Sequence, residues 1–243
     1  MVVEMLQSGI IEQVKEESSD LVINPVNIIK CNDKFRFLIH FKLNYMYQYK
    51  DLKLSSIVKF ADDLIGIEDV VKFDLKWAFF QIPIVEQDRN LLGFTFDNCK
   101  FKFKVLPFGV AFGTLICHEL IRLLVNHISS SNGNLFGVNY VDDIVYHNKM
   151  CGNQKIEDKF SDLANQIGLV LNMDKMHKGR TFEFTGLIID LEHQVIRLRL
   201  KTREQVKNLA LKFLNHGATY SEMESFRGIL EFCLRIAPDA RVK

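Results

Sequence analysis

Nowhere in its 243 residues does the chain hold a run approaching the roughly 18 uncharged apolar residues of a membrane span. Its opening, MVVEMLQSGIIEQVKEE, lacks the basic, apolar and small-residue regions of a secretory signal, so an intracellular protein, cytoplasmic or nuclear, is expected. The five cysteines, Cys31, Cys99, Cys117, Cys151 and Cys233, form no CxxC pair, and no histidines cluster at zinc spacing. Reduced thiols are therefore expected rather than a disulfide framework or a zinc site. No internal repeat, low-complexity tract or Pro/Gly/Ser-rich linker is present, which leaves no sharp domain boundary. Charge of one sign is scarce as well: 31 Lys and Arg against 30 Asp and Glu leave a formal net charge of +1, which by itself points to no polyanionic partner.

What is present is a 48% hydrophobic composition, enough to bury a core in one large domain or two small lobes. The charge is also unevenly distributed. Residues 1–20 carry five acids and one base, whereas residues 171–212 carry nine bases and five acids. A local polyanion contact and an ordinary solvated surface both fit that pattern. SGIIEQVKEES reads as a short amphipathic helix, and VNIIKCNDKFRFLIHF as a hairpin turning at CNDK. SSIVKFADDLIG has helical spacing, and VVKFDLKWAFFQIPI reads as strand with a helical or turn insertion around Lys76 to Phe80. A second hairpin turns at Asp97-Asn98, and GTLICHELIRLLVNHI follows as a strong helix. Then come a third hairpin, a helix stopped by Gly168, a strand pair formed by TFEFTGLIID and QVIRLRL, and two helices near 203–215 and 221–236. Mixed helices and antiparallel hairpins predict an α+β fold with a helical tail.

The third hairpin, GVNYVDDIVYHN, sets Asp142 and Asp143 between two apolar runs, at the expected turn. Adjacent carboxylates repel and raise one pKa unless cations neutralise them. A divalent metal would do so, and Mg²⁺ would want a further acid. Asp74 ends the apolar run of VVKFD and is the best candidate. If the two strands lie side by side, three carboxylates meet at one sheet edge. Such a cluster could hold two metal ions about 4 Å apart for phosphoryl transfer. Simple turn residues are the alternative, because aspartate favours turns.

YVDD at a hairpin turn, preceded in order by FDLKWAFFQIPI and LPFG, resembles the reverse transcriptase of retrotransposons, and the likeness covers nearly the whole chain. RNLLGFTFDNCKFKFKVLPFG and SFRGILEFCLRIAPDAR look more like the tyrosine-recombinase (DIRS-type) elements than gypsy-type LTR elements. The resemblance implies a right-hand polymerase. Its fingers would span 1–70, a ferredoxin-like palm 71–200 with a finger hairpin returning near 91–105, and the start of a helical thumb 201–243. It implies that Asp74, Asp142 and Asp143, with the Leu75 carbonyl, bind two Mg²⁺, for which Mn²⁺ could substitute. The implied reaction joins dNTPs to a DNA primer along an RNA template. Phe79 matches the steric gate against the 2′-hydroxyl, while as bare sequence it is a core aromatic. Lys30 and Arg36 match triphosphate-holding finger residues, or else are exposed hairpin charges. Phe108, with Pro107 and Gly109, matches the loop beside the nascent base pair, or is an ordinary turn. Lys175 matches a lysine near the triphosphate, or is a loop lysine. FEFTG, residues 182–186, resembles the hairpin that positions the primer end, while as bare sequence it is an alternating strand; Tyr140, Phe184 and Gly186 match primer-positioning residues, and Arg197, Arg199, Lys201 and Arg203 would suit phosphate contacts. RNase H and recombinase modules are expected elsewhere on a parent polyprotein.

The chain departs from the family pattern at several positions. His40 and Lys42 stand where an Asp and an Arg are usual, Gly113-Thr114 replaces a small residue plus Pro, and Thr185 replaces Leu. None removes a metal ligand. These departures motivate a second reading, a catalytically silent domain that still binds nucleic acid. A third, an acidic metal clip, lacks the alternating acids of an EF-hand.

Overall fold

The computed structural model describes residues 1–14, 20–31, 34–46, 60, 63–131, 135–148 and 154–234. In chain order its helices and strands are α1 (Val2–Gln7), β1 (Ile11–Gln13), β2 (Ile23–Asn24), β3 (Val26–Cys31), β4 (Lys34–Ile39), β5 (Val70–Phe73), β6 (Gly93–Phe96), β7 (Cys99–Phe103), α2 (Gly113–Ser131), β8 (Leu135–Tyr140), β9 (Asp143–Asn148), α3 (Gln154–Ile167), β10 (His177–Gly179), β11 (Thr181–Phe184), β12 (Leu187–Asp190), β13 (Val195–Leu198), α4 (Leu200–His216) and α5 (Tyr220–Cys233). The expected α+β class is what forms. Among the described residues no helix is long and apolar enough to cross a membrane.

The chain divides into two compact units. The first comprises Met1–Lys53, Leu75–Leu124 and Asp162–Asn172. Its sheet has the order β1-β7-β6-β2, and the β3–β4 hairpin stands beside it as a separate ladder. The core is aromatic because alternate residues of GFTF and CKFKF face one side: Phe94, Phe101 and Phe103 are buried, with ring centroids 5.5 Å apart for both pairs that include Phe94. The hairpin turns at Asp97 and Asn98, both at positive φ (49° and 57°), the twist that a two-residue connection favours. Asn24 is a buried polar tie. Its side-chain amide donates to the carbonyls of Leu91 and Gly93, and its oxygen accepts from the Lys42 amide at 2.8 Å.

The second unit comprises Leu54–Asp74, Val125–Ser161 and Met173–Lys243. Its main sheet runs β10-β5-β9-β8, every neighbouring pair antiparallel, and a three-stranded sheet β11-β12-β13 accompanies it. Val70, Val71, Phe73, Ile144, Val145 and Tyr146 are fully buried, which explains why β5 and β9 read as nearly continuous apolar runs. Phe73 packs 4.3 Å from Phe160 of α3 and edge-on to Tyr146.

Two sequence expectations are corrected. SGIIEQVKEES is not a helix over its described part: the helix lies earlier, at α1, and Ile11–Gln13 pairs with β7, Ile11 opposite Phe103. Burial of Ile11 against that sheet outweighs a weak helical period in so short a run. TFEFTGLIID is two strands rather than one, folded back at Thr185 and Gly186, both at positive φ. SSIVKFADDLIG falls largely outside the described residues.

Candidate active site

The second unit gathers the three acids. β5 and β9 pair antiparallel with Lys72 opposite Val145 and Phe73 opposite Ile144. One step further in that register Asp74 faces Asp143, the first residue of β9. The hairpin closes with Tyr140 opposite Asp143, so its loop is only Val141 and Asp142. Two-residue loops need positive φ, usually supplied by Gly or Asn, yet here Val141 adopts φ 59°. For a β-branched residue that is a costly conformation, and such strain persists only where the surroundings impose it. The buried Asn139 helps to impose it, donating its side-chain amide to the Val141 carbonyl at 3.1 Å.

Two lysines neutralise these carboxylates. The Lys72 ammonium lies 2.9 Å from Asp143 and also donates to the Glu183 carbonyl at 2.7 Å. The Lys175 ammonium lies 3.0 Å from Asp74, whose hydrogen bond and charge push the lysine pKa up. Asp142 is left with the least compensation. Burial raises its pKa first, repulsion from Asp143 and Asp74 adds to that, and a hydrogen bond at its own backbone together with Lys175 only partly offsets both. Three acids are thus close enough to repel one another while two ammonium groups serve them. Among the described residues no three His, Cys, Asp or Glu side chains converge as a ready metal cluster. The donors nevertheless suit a hard divalent cation in type and in backbone placement, and the unrelieved repulsion at Asp142 is what such a cation would remove.

The other expected residues fall as follows. In the second unit, Phe184 is buried, packed 4.9 Å from Phe60 and edge-on to Tyr140, so its ring fixes the β11–β12 turn from beneath. Gly186 sits in that turn at φ 84°. Arg197 pairs with the buried Asp190 at 3.1 Å, and Arg199 pairs with Glu183, so both arginines already hold carboxylates. In the first unit, Phe79 packs against Phe108, the rings tilted by 39° with centroids 4.7 Å apart. The loop at Gly109 is clasped by Asn44, which donates to the Gly109 carbonyl at 2.7 Å and accepts from the Ala111 amide at 2.8 Å. Leu75 is buried and Lys30 exposed; Arg36 lies on β4 with its side chain outside the described residues. Pro107 borders a cavity that Trp77 and Phe108 also line. Lys72 and the strained Val141 were not among the expected residues. The signal for Lys72 was available: a lone ammonium in VVKF, on a buried strand, needs a partner carboxylate.

Residues 29–189, more than half of the chain, match the family described as reverse transcriptase (RNA-dependent DNA polymerase). The chain belongs to that family. It is 25% identical to a polyprotein of Cassava vein mosaic virus over 84% of this chain and 33% of the viral one. It is likewise 25% identical to the Gag-Pol polyprotein of Rous sarcoma virus subgroup B (strain Schmidt-Ruppin), over 46% of this chain and 8% of that one. The reverse-transcriptase chain thus spans about a third of the first of these relatives and a small part of the second. Its fold is shared with the foamy viral protease-reverse transcriptase. In that protein's complex with an RNA/DNA hybrid the TM-score is 0.75 at 18% identity, covering 95% of this chain and 30% of that one. In its complex with dsDNA the TM-score is 0.73 at 16% identity, covering 95% and 46%.

Proposed function

We propose that this chain is the polymerase domain of a retrotransposon reverse transcriptase, extending a DNA primer along an RNA template with dNTPs. The observation that carries the reading is the β5–β9 register, which sets Asp74 opposite Asp143 with Asp142 on the adjoining strained turn. Each addition would form a bond from the primer 3′ oxygen to the α-phosphorus and release pyrophosphate. Asp74, Asp142 and Asp143, with the carbonyl of Leu75, the next residue in the chain after Asp74, would hold Mg²⁺. When bound, the metal would lower the pKa of the 3′ hydroxyl and stabilise the leaving oxygen.

The chain's own residues supply the rest. Lys72 pairs with Asp143 from within the sheet. Lys175, paired with Asp74, would serve as a cation for the triphosphate. Lys30 and Arg36 serve the same phosphates, and Phe79 excludes the 2′-hydroxyl. Phe108 borders the nascent pair, and Pro107, Gly109, Tyr140, Phe184 and Gly186 shape the path of primer and template. The fingers, palm and thumb would occupy 1–70, 71–200 and 201–243, and the element would be of the DIRS type, on the strength of RNLLGFTFDNCKFKFKVLPFG and SFRGILEFCLRIAPDAR.

Primer extension on an RNA template with dNTPs and Mg²⁺ tests the assignment, comparing the chain with its Asp142→Asn variant. Extension by the first and loss in the second is the expected result. Folded protein that binds primer-template and Mg²⁺ yet adds no nucleotide would overturn the catalytic reading.

A further inference from the structure

The chain holds a single tryptophan, Trp77, and the residue is 59% exposed although tryptophan is usually among the better-buried residues. Nearby apolar residues behave differently: Leu75, two positions before it, and Ala78, next after it, are both buried. The indole is directed outward by its backbone, which adopts the left-handed conformation at φ 53° and ψ 48°, sterically costly for any bulky L-residue. The surroundings impose that conformation. The Lys76 amide donates to the Val170 carbonyl at 3.1 Å, and the Phe80 amide donates to the Trp77 carbonyl at 2.8 Å. Gln81 completes the clasp: its side-chain amide donates to the carbonyls of Lys76 and Val170, and its oxygen accepts from the Val170 amide at 2.7 Å. A fold that spends strain to keep a large aromatic ring in solvent presents that ring to something.

What surrounds the ring says what. Trp77 borders a cavity of about 930 Å³ whose other walls include Leu38, Phe80, Pro107 and Phe108, and Phe108 is itself 57% exposed. The Lys76 ammonium stands 5.2 Å from the indole centroid. Among the described residues, the one carboxylate on the cavity wall, Glu4, is paired with the amino terminus at 3.2 Å. Flat aromatic and apolar walls with an ammonium beside them match a nucleobase, with its phosphate on the lysine. A base in a duplex has no free face to offer, so the occupant is unpaired. The wall offers few polar groups to read a base edge, so binding should be indifferent to sequence.

We propose that Trp77 is a stacking surface for an unpaired base of the single-stranded template, with Lys76 taking its phosphate. The proposal rests on the polymerase reading for the identity of the strand, and its test separates the two. Emission from the sole tryptophan is followed while the intact chain is titrated with single-stranded RNA of about 12 nucleotides, as oligo-U and as oligo-A, long enough for a typical single-strand site. Anisotropy of a labelled copy reports total binding in parallel.

Saturable quenching with the same midpoint as the anisotropy, for both sequences, is the expected result. By anisotropy Trp77→Ala should weaken binding about tenfold and Trp77→Phe less than about threefold, since phenylalanine keeps a stacking face. Strand binding that leaves the emission unchanged would overturn the stacking site while leaving the polymerase reading intact. A dNTP alone that quenches as strongly would assign the surface to the mononucleotide and overturn its assignment to the template. Failure to bind any strand or primer-template would overturn both readings. The wild-type signal needs no substitution, so a variant that misfolds does not decide the outcome.

Discussion

Gly137→Ala tests how tightly the acid-bearing hairpin is held. Gly137 lies on β8 opposite Tyr146 of β9. A Cβ added there would sit 2.3 and 2.6 Å from two ring carbons of Tyr146 and 2.7 Å from a methyl of Val125. Carbon atoms rest about 3.5–4.0 Å apart, so more than an ångström of movement is demanded. Neither neighbour can give way: Tyr146 is fully buried, wedged against Phe73 and Phe160, and Val125 is buried as well. β8 is an edge strand, so the cheapest relief pushes it outward and splays the turn that carries Asp142. Overpacking costs typically 1–3 kcal/mol, and with rigid neighbours on two sides a loss of about 3 kcal/mol is expected. Urea denaturation followed by circular dichroism measures it. Primer extension by the folded fraction should fall about a hundredfold, the penalty for roughly an ångström of misplacement. The sign itself is diagnostic, because Gly→Ala in an unhindered strand would stabilise by about 0.5–1 kcal/mol. Tyr146→Leu in the same chain should recover part of the loss. A loss under about 1 kcal/mol with extension intact would refute the reasoning.

The remaining predictions concern charge and strain. Lys72→Ala should cost about 1–3 kcal/mol, because it strips a half-buried Asp143 of its ammonium, whereas Lys175→Ala, at an exposed lysine, should cost less; equal losses in urea denaturation would refute the ranking. Val141→Gly should relieve the left-handed strain and stabilise the fold by about 0.5–1 kcal/mol net of glycine's entropy, while slowing extension; a thermal melt lower than wild type would count against stored strain at the turn. Glu222 is held well below its ordinary 4.5, at about 2, by Lys212 and by the amide and hydroxyl of Thr219. Because its folded pKa is depressed, its contribution to holding α4 and α5 is complete above about 4.5 and is lost as pH falls toward 2. Glu222→Gln should flatten the pH dependence of the melting temperature across that interval, and an unchanged slope would show that the capping box carries none of it.

Much of the fold was legible because the hairpins carry their own punctuation. Asp97-Asn98 announced the turn between β6 and β7, and Gly168 at φ 75° ended α3 where it was expected. Where punctuation was weak the reading failed. IIEQ is too short to distinguish a period of 3.6 from one of 2, and its state was decided by pairing with a strand some ninety positions later in the chain, Ile11 against Phe103. In FEFTG alternation on both sides hid the reversal at Thr185 from the bare pattern, whereas the family resemblance marked a hairpin there.

The site divides along the same line. That Asp142 and Asp143 would repel each other was deducible from their adjacency, and that Asp74 would end a neighbouring strand from its place after an apolar run. Which groups meet the acids in the folded chain was not deducible, because Lys72 and Lys175 are brought to them by pairing across the sheet and by the chain's return through Met173–Lys175. Nor was the strain at Val141, since a dihedral angle is imposed by the ladder on either side and by Asn139 rather than written in YVDD. The two lysines carry a consequence for metal loading. On the proposed reading, each carboxylate they hold would exchange an ammonium for a divalent ion. Lys72→Met should therefore lower the Mg²⁺ concentration at half-maximal extension, provided the fold survives. An unchanged or higher requirement would mean that Lys72 orients Asp143 for the metal instead of competing with it.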